Sequence, residues 1–336
     1  MDLPTLWFWV IAALWTGYFF LEGFDFGVGM LTRLLARDNT ERRVLVNTIG
    51  PVWDGNEVWV IVAIGATFAA FPPWYATMLS AEYLPVLLIL LALIGRGVAF
   101  EYRGKVDSDR WRRGWDLVIL LGSWIPPLGW GLIIAGVATG LPIGKNGVLV
   151  GGMGGLFTWP AVLGALALAG FSLVHGSVFV ALKTDGDIRA RARALALRIG
   201  PFCLLPMAAL MVLVQVRQGG LATMMIAAVG LLAGAAAFAR LAAGREGQAF
   251  ALLGVLIAGA TLSLFGSDFP TIIASTVDPN FSLTVANASS SPYTLQVISW
   301  VAAFGTPAIL VYQGWTYWVF RRRISAAHIP PVHVPS

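Results

Sequence analysis

Residues 79–100 read LSAEYLPVLLILLALIGRGVAF, an apolar stretch in which Glu82 and Arg96 are the only charged residues. A helix that crosses the hydrocarbon core of a membrane needs about 20 mostly apolar residues, so this stretch predicts a membrane span. Similar stretches recur along the chain, and together they predict an all-α integral membrane protein with nine transmembrane helices. The predicted spans are about 6–31, 51–71, 79–100, 115–140, 155–182, 199–216, 221–239, 248–267 and 296–320.

The composition excludes several other classes of protein. Of the 336 residues, 58% are hydrophobic and 12% are charged, whereas about 25% are charged in ordinary soluble domains. The basic residues form short clusters between apolar runs, which excludes a nucleic-acid-binding face. The single cysteine, Cys203, excludes an internal disulfide and a cysteine metal cluster. The N-terminus, MDLPTLWFWV, has no basic region before its apolar run and is interpreted as a span, not a signal peptide.

The basic residues predict the orientation of the bundle. Lys and Arg mark the cytoplasmic side of a membrane protein. All but three of the 22 basic residues lie after predicted spans 1, 3, 5 and 7 or in the C-terminal tail; the exceptions are Arg96, Lys145 and Arg217. We therefore expect an outer N-terminus and a cytoplasmic C-terminus. Residues 1–320 then form one nine-helix bundle, and residues 321–336 form a cytoplasmic tail.

Carboxylates within the predicted spans are the informative residues, because each costs several kcal/mol unless it is paired or hydrated. Glu22 and Asp25 lie three residues apart, on one face of the first helix, and Asp54 and Glu57 repeat that spacing at the start of the second. The two helices run in opposite directions, so the four acids are expected to converge in the cytoplasmic third of the membrane. Arg96 can reach the same layer.

This convergence predicts a site that relays protons, because neighbouring carboxylates in a low dielectric cannot all ionise. We expect Asp25 and Asp54 to carry the protons, with Glu22, Glu57 and Arg96 in support. The residues alone leave other interpretations open. Asp25 could be a structural hydrogen-bonding group, the acids of the second span could simply stabilise a helix N-terminus, and Glu22 could pair with Arg96.

Three other ionisable residues lie in or beside the spans and are not assigned to the proton site. His175 is the only histidine in a predicted span, since His328 and His333 lie in the tail. It is interpreted as a hydrogen-bonded interior residue, with a haem ligand as the alternative. One histidine cannot hold a haem between two histidines, so any redox centre must belong largely to a partner chain. No metal site is predicted. Glu82 and Asp116 are expected to be solvated charges near the membrane surface.

Several motifs in order resemble subunit II of cytochrome bd quinol oxidase. They are residues 23–29 (GFDFGVG), 39–43 (NTERR), 53–59 (WDGNEVW), 96–103 (RGVAFEYR) and 281–284 (FSLT). The resemblance implies a nine-helix subunit paired with a related subunit I, often with a small single-span third subunit. It also implies a prokaryotic plasma membrane, where the complex oxidises quinol and reduces dioxygen to water with protons from the cytoplasm.

The resemblance further implies that subunit I binds haem b and haem d and carries the quinol-oxidation site. In the family, the acids that match Asp25 and Asp54 belong to a proton path at the subunit interface. The sequence leaves open whether a structural quinone or a lipid binds to this subunit. Two alternatives remain at this point: a purely structural scaffold for the haem subunit, and a proton-coupled transporter that acts without a partner.

Overall fold

The computed structural model describes residues 2–329, and these residues are predominantly helical. The tail beyond residue 329, with His333, lies outside the described residues. The helices are α1 (Leu3–Leu31), α2 (Asn39–Ile49), α3 (Trp53–Ala70), α4 (Pro72–Ala81), α5 (Tyr83–Tyr102), α6 (Asp109–Thr139), α7 (Trp159–Lys183), α8 (Gly186–Cys203), α9 (Leu205–Gln218), α10 (Leu221–Ala242), α11 (Glu246–Asp268), α12 (Val285–Ala288) and α13 (Pro292–Val319). Short 3-10 turns occupy Met153–Leu156, Pro279–Phe281 and Ala326–His328.

Eight helical segments in the described chain are long and apolar enough to cross a membrane. They are α1, α5, α6, α7, the joined pair α8–α9, α10, α11 and α13. This confirms an all-helical, multi-pass membrane protein. The predicted span at 51–71 does form a helix, α3, but it is not one of the eight. Its first turns carry Asp54, Asn56 and Glu57, which lower its apolar character.

Helices α1 and α7 form the centre of the bundle. In the most apolar 18-residue stretch of α7, 83% of the residues are buried inside the protein, compared with 6% in the corresponding stretch of α13. Helix α1 contacts α3, α6, α7, α11 and α13. A charged residue on α1 is therefore surrounded by protein, whereas most side chains of α13 face outward.

Glycines allow α1 and α7 to approach closely at Gly27 and Gly176. A Cβ atom on Gly27 would lie 1.9 Å from the carbonyl oxygen of Ser172 and 2.7 Å from the Cα atom of Gly176. Such distances are possible only without a side chain. Small residues at such contacts allow the backbones of two membrane helices to pack closely.

Replacing Gly27 by Ala is expected to prevent most of the protein from folding. The added methyl group would overlap backbone atoms of α7, which cannot rotate away as a side chain can. The measurement is the amount of monodisperse protein recovered from the membrane in mild detergent. Gly114→Ala is the matched control, because nothing lies within 4 Å of its Cβ position. Equal recovery of the two variants would contradict the packing argument.

Ion pairs join the helices at the basic end of the bundle. Asp116 is buried and accepts from Arg103 (Nε to Oδ1, 2.6 Å), so the expectation that it is solvated is wrong. Glu41 of α2 accepts from Arg191 of α8 at 2.7 Å. Partial burial disfavours the charge on Glu41, but hydrogen bonds from Arg191 and from the backbone N–H of Arg37 outweigh it and lower the pKa of Glu41.

At the opposite end, the long connection after α11 folds over the helix ends. Strand β1 (Thr271–Ile273) pairs antiparallel with β2 (Leu283–Thr284), with Thr271 opposite Thr284. Glu82, between α4 and α5, is fully buried here, and neither of its carboxylate oxygens has a hydrogen-bond partner in the described chain. The expectation of a solvated Glu82 is therefore wrong, because hydropathy predicts depth in the membrane but not which side chains a neighbouring helix covers.

Candidate functional site

Two carboxylates of α1, Glu22 and Asp25, are fully buried. They lie on one helix face because three residues correspond to almost one turn. Glu22 accepts a hydrogen bond from the guanidinium group of Arg96 on α5 (Oε2 to Nη1, 2.7 Å), and neither side chain is exposed. This contact confirms that Glu22 pairs with Arg96.

Aromatic rings and a glycine complete the surroundings of Arg96. The guanidinium carbon lies 4.7 Å from the ring centre of Phe26 and 5.5 Å from that of Phe100. Gly122 allows α6 to approach, because a Cβ atom there would be 2.7 Å from the Cβ of Arg96. The cation is thus enclosed by its ion pair and by ring faces that attract positive charge.

Asp25 is held by a neutral amide from α3. The side-chain nitrogen of Asn56 donates to Oδ2 of Asp25 at 2.7 Å, and Asn56 is also fully buried. The amide oxygen of Asn56 in turn accepts from the hydroxyl of Tyr317 (2.7 Å) and from the side-chain nitrogen of Gln313 (3.3 Å). A hydrogen-bonded chain therefore connects Asp25 on α1 with α3 and α13.

The two acids of α3 lie in different environments. Asp54 is exposed in this chain, and its Oδ1 accepts from the backbone N–H of Gly55 at 2.7 Å. Glu57 is half-buried, and its Oε2 is buried without a hydrogen-bond partner in the described chain. The structure thus places Glu22, Asp25 and Arg96 in the interior, Glu57 at the margin and Asp54 on the surface.

Several buried polar atoms in this region have no hydrogen-bond partner in the described protein. They are Oε1 of Glu22, Oδ1 of Asp25, Oε2 of Glu57, and Nε and Nη2 of Arg96. Buried polar atoms are rarely unpaired, and most that lack a protein partner bind water. Asp25 in particular keeps one carboxylate oxygen bonded to Asn56 and the other available to a water molecule.

Sequence reasoning missed Asn56, Gln313 and Tyr317. Asn56 lies between Asp54 and Glu57, but a neutral amide in a polar run gives no separate signal of function. Its partners follow it by more than 250 residues along the chain. Gln313 gave little signal either, because the final span also contains the polar residues Gln296, Ser299 and Thr306.

His175 does not fit a haem ligand. Its ring lies between Phe250 (ring centres 4.4 Å apart) and Phe171 (4.9 Å apart), stacked on both faces. Its Nε2 is 3.2 Å from the carbonyl oxygen of Phe20, which makes it the hydrogen-bonded interior residue that the sequence predicts. A haem iron would bind a ring nitrogen in the plane of the imidazole, and Nε2 already faces the carbonyl oxygen of Phe20.

Comparison with known proteins agrees with this arrangement. The family "Cytochrome bd terminal oxidase subunit II" matches residues 3–320. The chain belongs to this family. It is 41% identical to "Cytochrome bd ubiquinol oxidase subunit 2" of Bacillus subtilis, over 96% of this chain and 97% of that protein. It is 32% identical to "Cytochrome bd-I ubiquinol oxidase subunit 2" of Escherichia coli, over 97% and 96% of the two chains.

A solved structure supports the fold independently. A chain of the bd oxidase from Geobacillus thermodenitrificans superposes with a TM-score of 0.78 at 19% identity, over 95% of this chain and 97% of that one. The resemblance inferred from the motifs is therefore confirmed. The protein is a subunit of a bd-type quinol oxidase, an oxidoreductase complex, and membership of this family implies haem cofactors and a partner subunit I in that complex.

Proposed function

We propose that this chain is the haem-free subunit II of the oxidase and that it carries protons from the cytoplasm towards the partner subunit. The complex would couple quinol oxidation to the reduction of dioxygen to water and thereby generate a proton gradient. The observation that carries the proposal is the state of Asp25, a fully buried carboxylate with one oxygen bonded to Asn56 and the other without a protein partner.

The topology belongs to the same proposal. We infer nine spans, with α3 as the ninth, an outer N-terminus and a cytoplasmic C-terminal tail, in a prokaryotic plasma membrane. The distribution of basic residues supports this orientation. Helix α3, of 18 residues, can cross the membrane beside α1 even though its first turns are polar, because those turns face Asp25 and α13.

The proposed path begins at Asp54, which is exposed at the first turn of α3, and continues to Asp25 in the interior. Water on the unpaired oxygen of Asp25 would carry the proton between them. Glu57 lies at the margin of this route. The charges of the Glu22–Arg96 pair change the electrostatic potential along the route. A carboxylate can bind and release a proton at each passage, and this chemistry requires no cofactor in this chain.

The remaining chemistry is assigned to partners. We propose that subunit I holds haem b and haem d, where dioxygen is reduced, and that it also oxidises the quinol on the outer side. The surroundings of His175 support this division, since its Nε2 faces the carbonyl oxygen of Phe20 and not a cofactor site. A small single-span subunit and membrane lipids are further proposed partners, and a structural quinone or lipid in this subunit belongs to the same proposal.

One observation favours a second function, that of a structural scaffold for subunit I. The Glu22–Arg96 pair is fully enclosed, and such a pair can serve stability alone. The scaffold differs from the proton path in one respect: replacing a buried acid by its amide would change the stability of the complex but not its turnover.

The proposal is tested by purifying the tagged chain from its native membrane in mild detergent. We expect a larger membrane subunit to copurify, with b-type and d-type haem bands in the reduced-minus-oxidised visible spectrum and with quinol-dependent oxygen uptake. The same purification from cells without the tag is the control. A folded preparation without haem and without a second subunit would overturn the assignment of partner and cofactors.

A further inference from the structure

Helix α13 is the least packed long helix of the described chain, and its contacts with the bundle are concentrated at a few polar groups. Leu295 is its only buried residue. Near one end, Ser299 accepts from the indole nitrogen of Trp7 at 2.9 Å. Near the basic end, Gln313 and Tyr317 both donate to the amide oxygen of Asn56. Two of its few fixed points therefore meet at the residue that binds Asp25.

Hydrogen bonds from α13 fix which way the amide of Asn56 points. An amide offers an oxygen that only accepts and a nitrogen that only donates. The side-chain oxygen of Gln313 accepts from the indole nitrogen of Trp59 at 2.9 Å, so its nitrogen faces Asn56 and donates to the amide oxygen. The hydroxyl of Tyr317 donates to the same oxygen, and the nitrogen of Asn56 therefore faces Asp25. If α13 moved away, the amide could rotate and present its oxygen to the carboxylate, where an ionised acid would be repelled.

We propose that α13 is a positioning element: Gln313 and Tyr317 orient Asn56 and so make Asp25 competent to take up protons. This inference rests on the proposed proton path through Asp25. Oδ2 of Asp25 stays bonded to Asn56 throughout, and the proton binds to and leaves from Oδ1, which has no protein partner. Asn56 and Tyr317 transfer no proton themselves.

The test uses Tyr317→Phe in the complete two-subunit oxidase, compared with Tyr312→Phe. Both variants lose one hydroxyl from α13. Tyr317 donates a hydrogen bond to Asn56, whereas Tyr312 is 68% exposed and does not. We expect Tyr317→Phe to slow quinol-dependent oxygen uptake about fivefold with normal haem content. The ratio of its rates in H2O and D2O should rise, because proton transfer becomes slower than the other steps. Tyr312→Phe should match the unmodified enzyme in both readouts.

Asn56→Ala shows whether Tyr317 acts through Asn56. If it does, the double variant Asn56→Ala/Tyr317→Phe will be no slower than Asn56→Ala alone, because coupled residues are not additive. Normal turnover of Tyr317→Phe, additive losses in the double variant, or loss of haem from Tyr317→Phe would each overturn the inference. Asp25→Asn distinguishes failure of the role of α13 from failure of the proposed proton path. If that variant is inactive while Tyr317→Phe is normal, only the role of α13 fails; if it is fully active, the proton path itself fails.

Discussion

Replacing Asp25 by Asn is expected to reduce quinol-dependent oxygen uptake by at least about 100-fold while the complex assembles with its normal haem spectrum. Asn has nearly the shape of Asp, and its oxygen can still accept the hydrogen bond that Asn56 donates at 2.7 Å. It cannot bind and release a proton. The variant therefore removes the proposed chemistry and leaves the packing almost unchanged. Oxygen consumption with excess reduced quinol is the measurement.

The matched control is Asp187→Asn, which removes a carboxylate from the same basic end of the bundle. The side chain of Asp187 is 82% exposed, and its contact with Arg37 is a surface ion pair at 3.7 Å. Such pairs contribute about 0–1 kcal/mol, so turnover and yield should both be normal. Full activity of Asp25→Asn would exclude a proton path through this residue, and a variant that lost its haem along with its activity would support the scaffold instead.

The sequence predicted the helices well, because the length and apolarity of a span follow directly from the thickness of the membrane. The predicted span 221–239 corresponds to α10 (Leu221–Ala242), and 248–267 to α11 (Glu246–Asp268). The segment at 199–216 is the exception. There the helix begins much earlier, at Gly186, and is divided at Leu204, since Pro201 and Pro206 interrupt the regular helix. Basic residues in the first turns of α8 lower its mean hydropathy, so these turns are not detected as part of an apolar span.

The site could be predicted only in part. The spacing of Glu22 and Asp25 placed both acids on one face, and the pairing of Glu22 with Arg96 was one of the interpretations that the sequence left open. The exposure of Asp54 did not follow, because depth says nothing about the direction in which a helix turns its side chains. Asn56 and Tyr317 were hidden for a second reason. A neutral polar group gives little signal, and their contact depends on how α13 packs against α3.

Replacing Arg96 by Gln is expected to be the most destabilising single change in the site. The carboxylate of Glu22 would remain fully buried without its cation, and removing one partner of a buried ion pair typically costs about 3–5 kcal/mol. This is a large fraction of the stability of an ordinary protein. We expect little assembled oxidase and a lower midpoint of thermal unfolding. Both are measured from the haem absorbance of the purified complex.

The double variant Glu22→Gln/Arg96→Gln shows whether Arg96→Gln destabilises the protein because it leaves a single buried charge or because the guanidinium group itself is lost. With neither charge present, the burial penalty disappears, and assembly should recover to a large extent. Arg110→Gln is the control, because it removes a guanidinium group from an exposed position at the same end. Assembly of Arg96→Gln at the level of Arg110→Gln would show that Glu22 does not depend on its partner. If the double variant assembles but turns over slowly, the pair also contributes to proton transfer, because stability and activity would then have been separated in one protein.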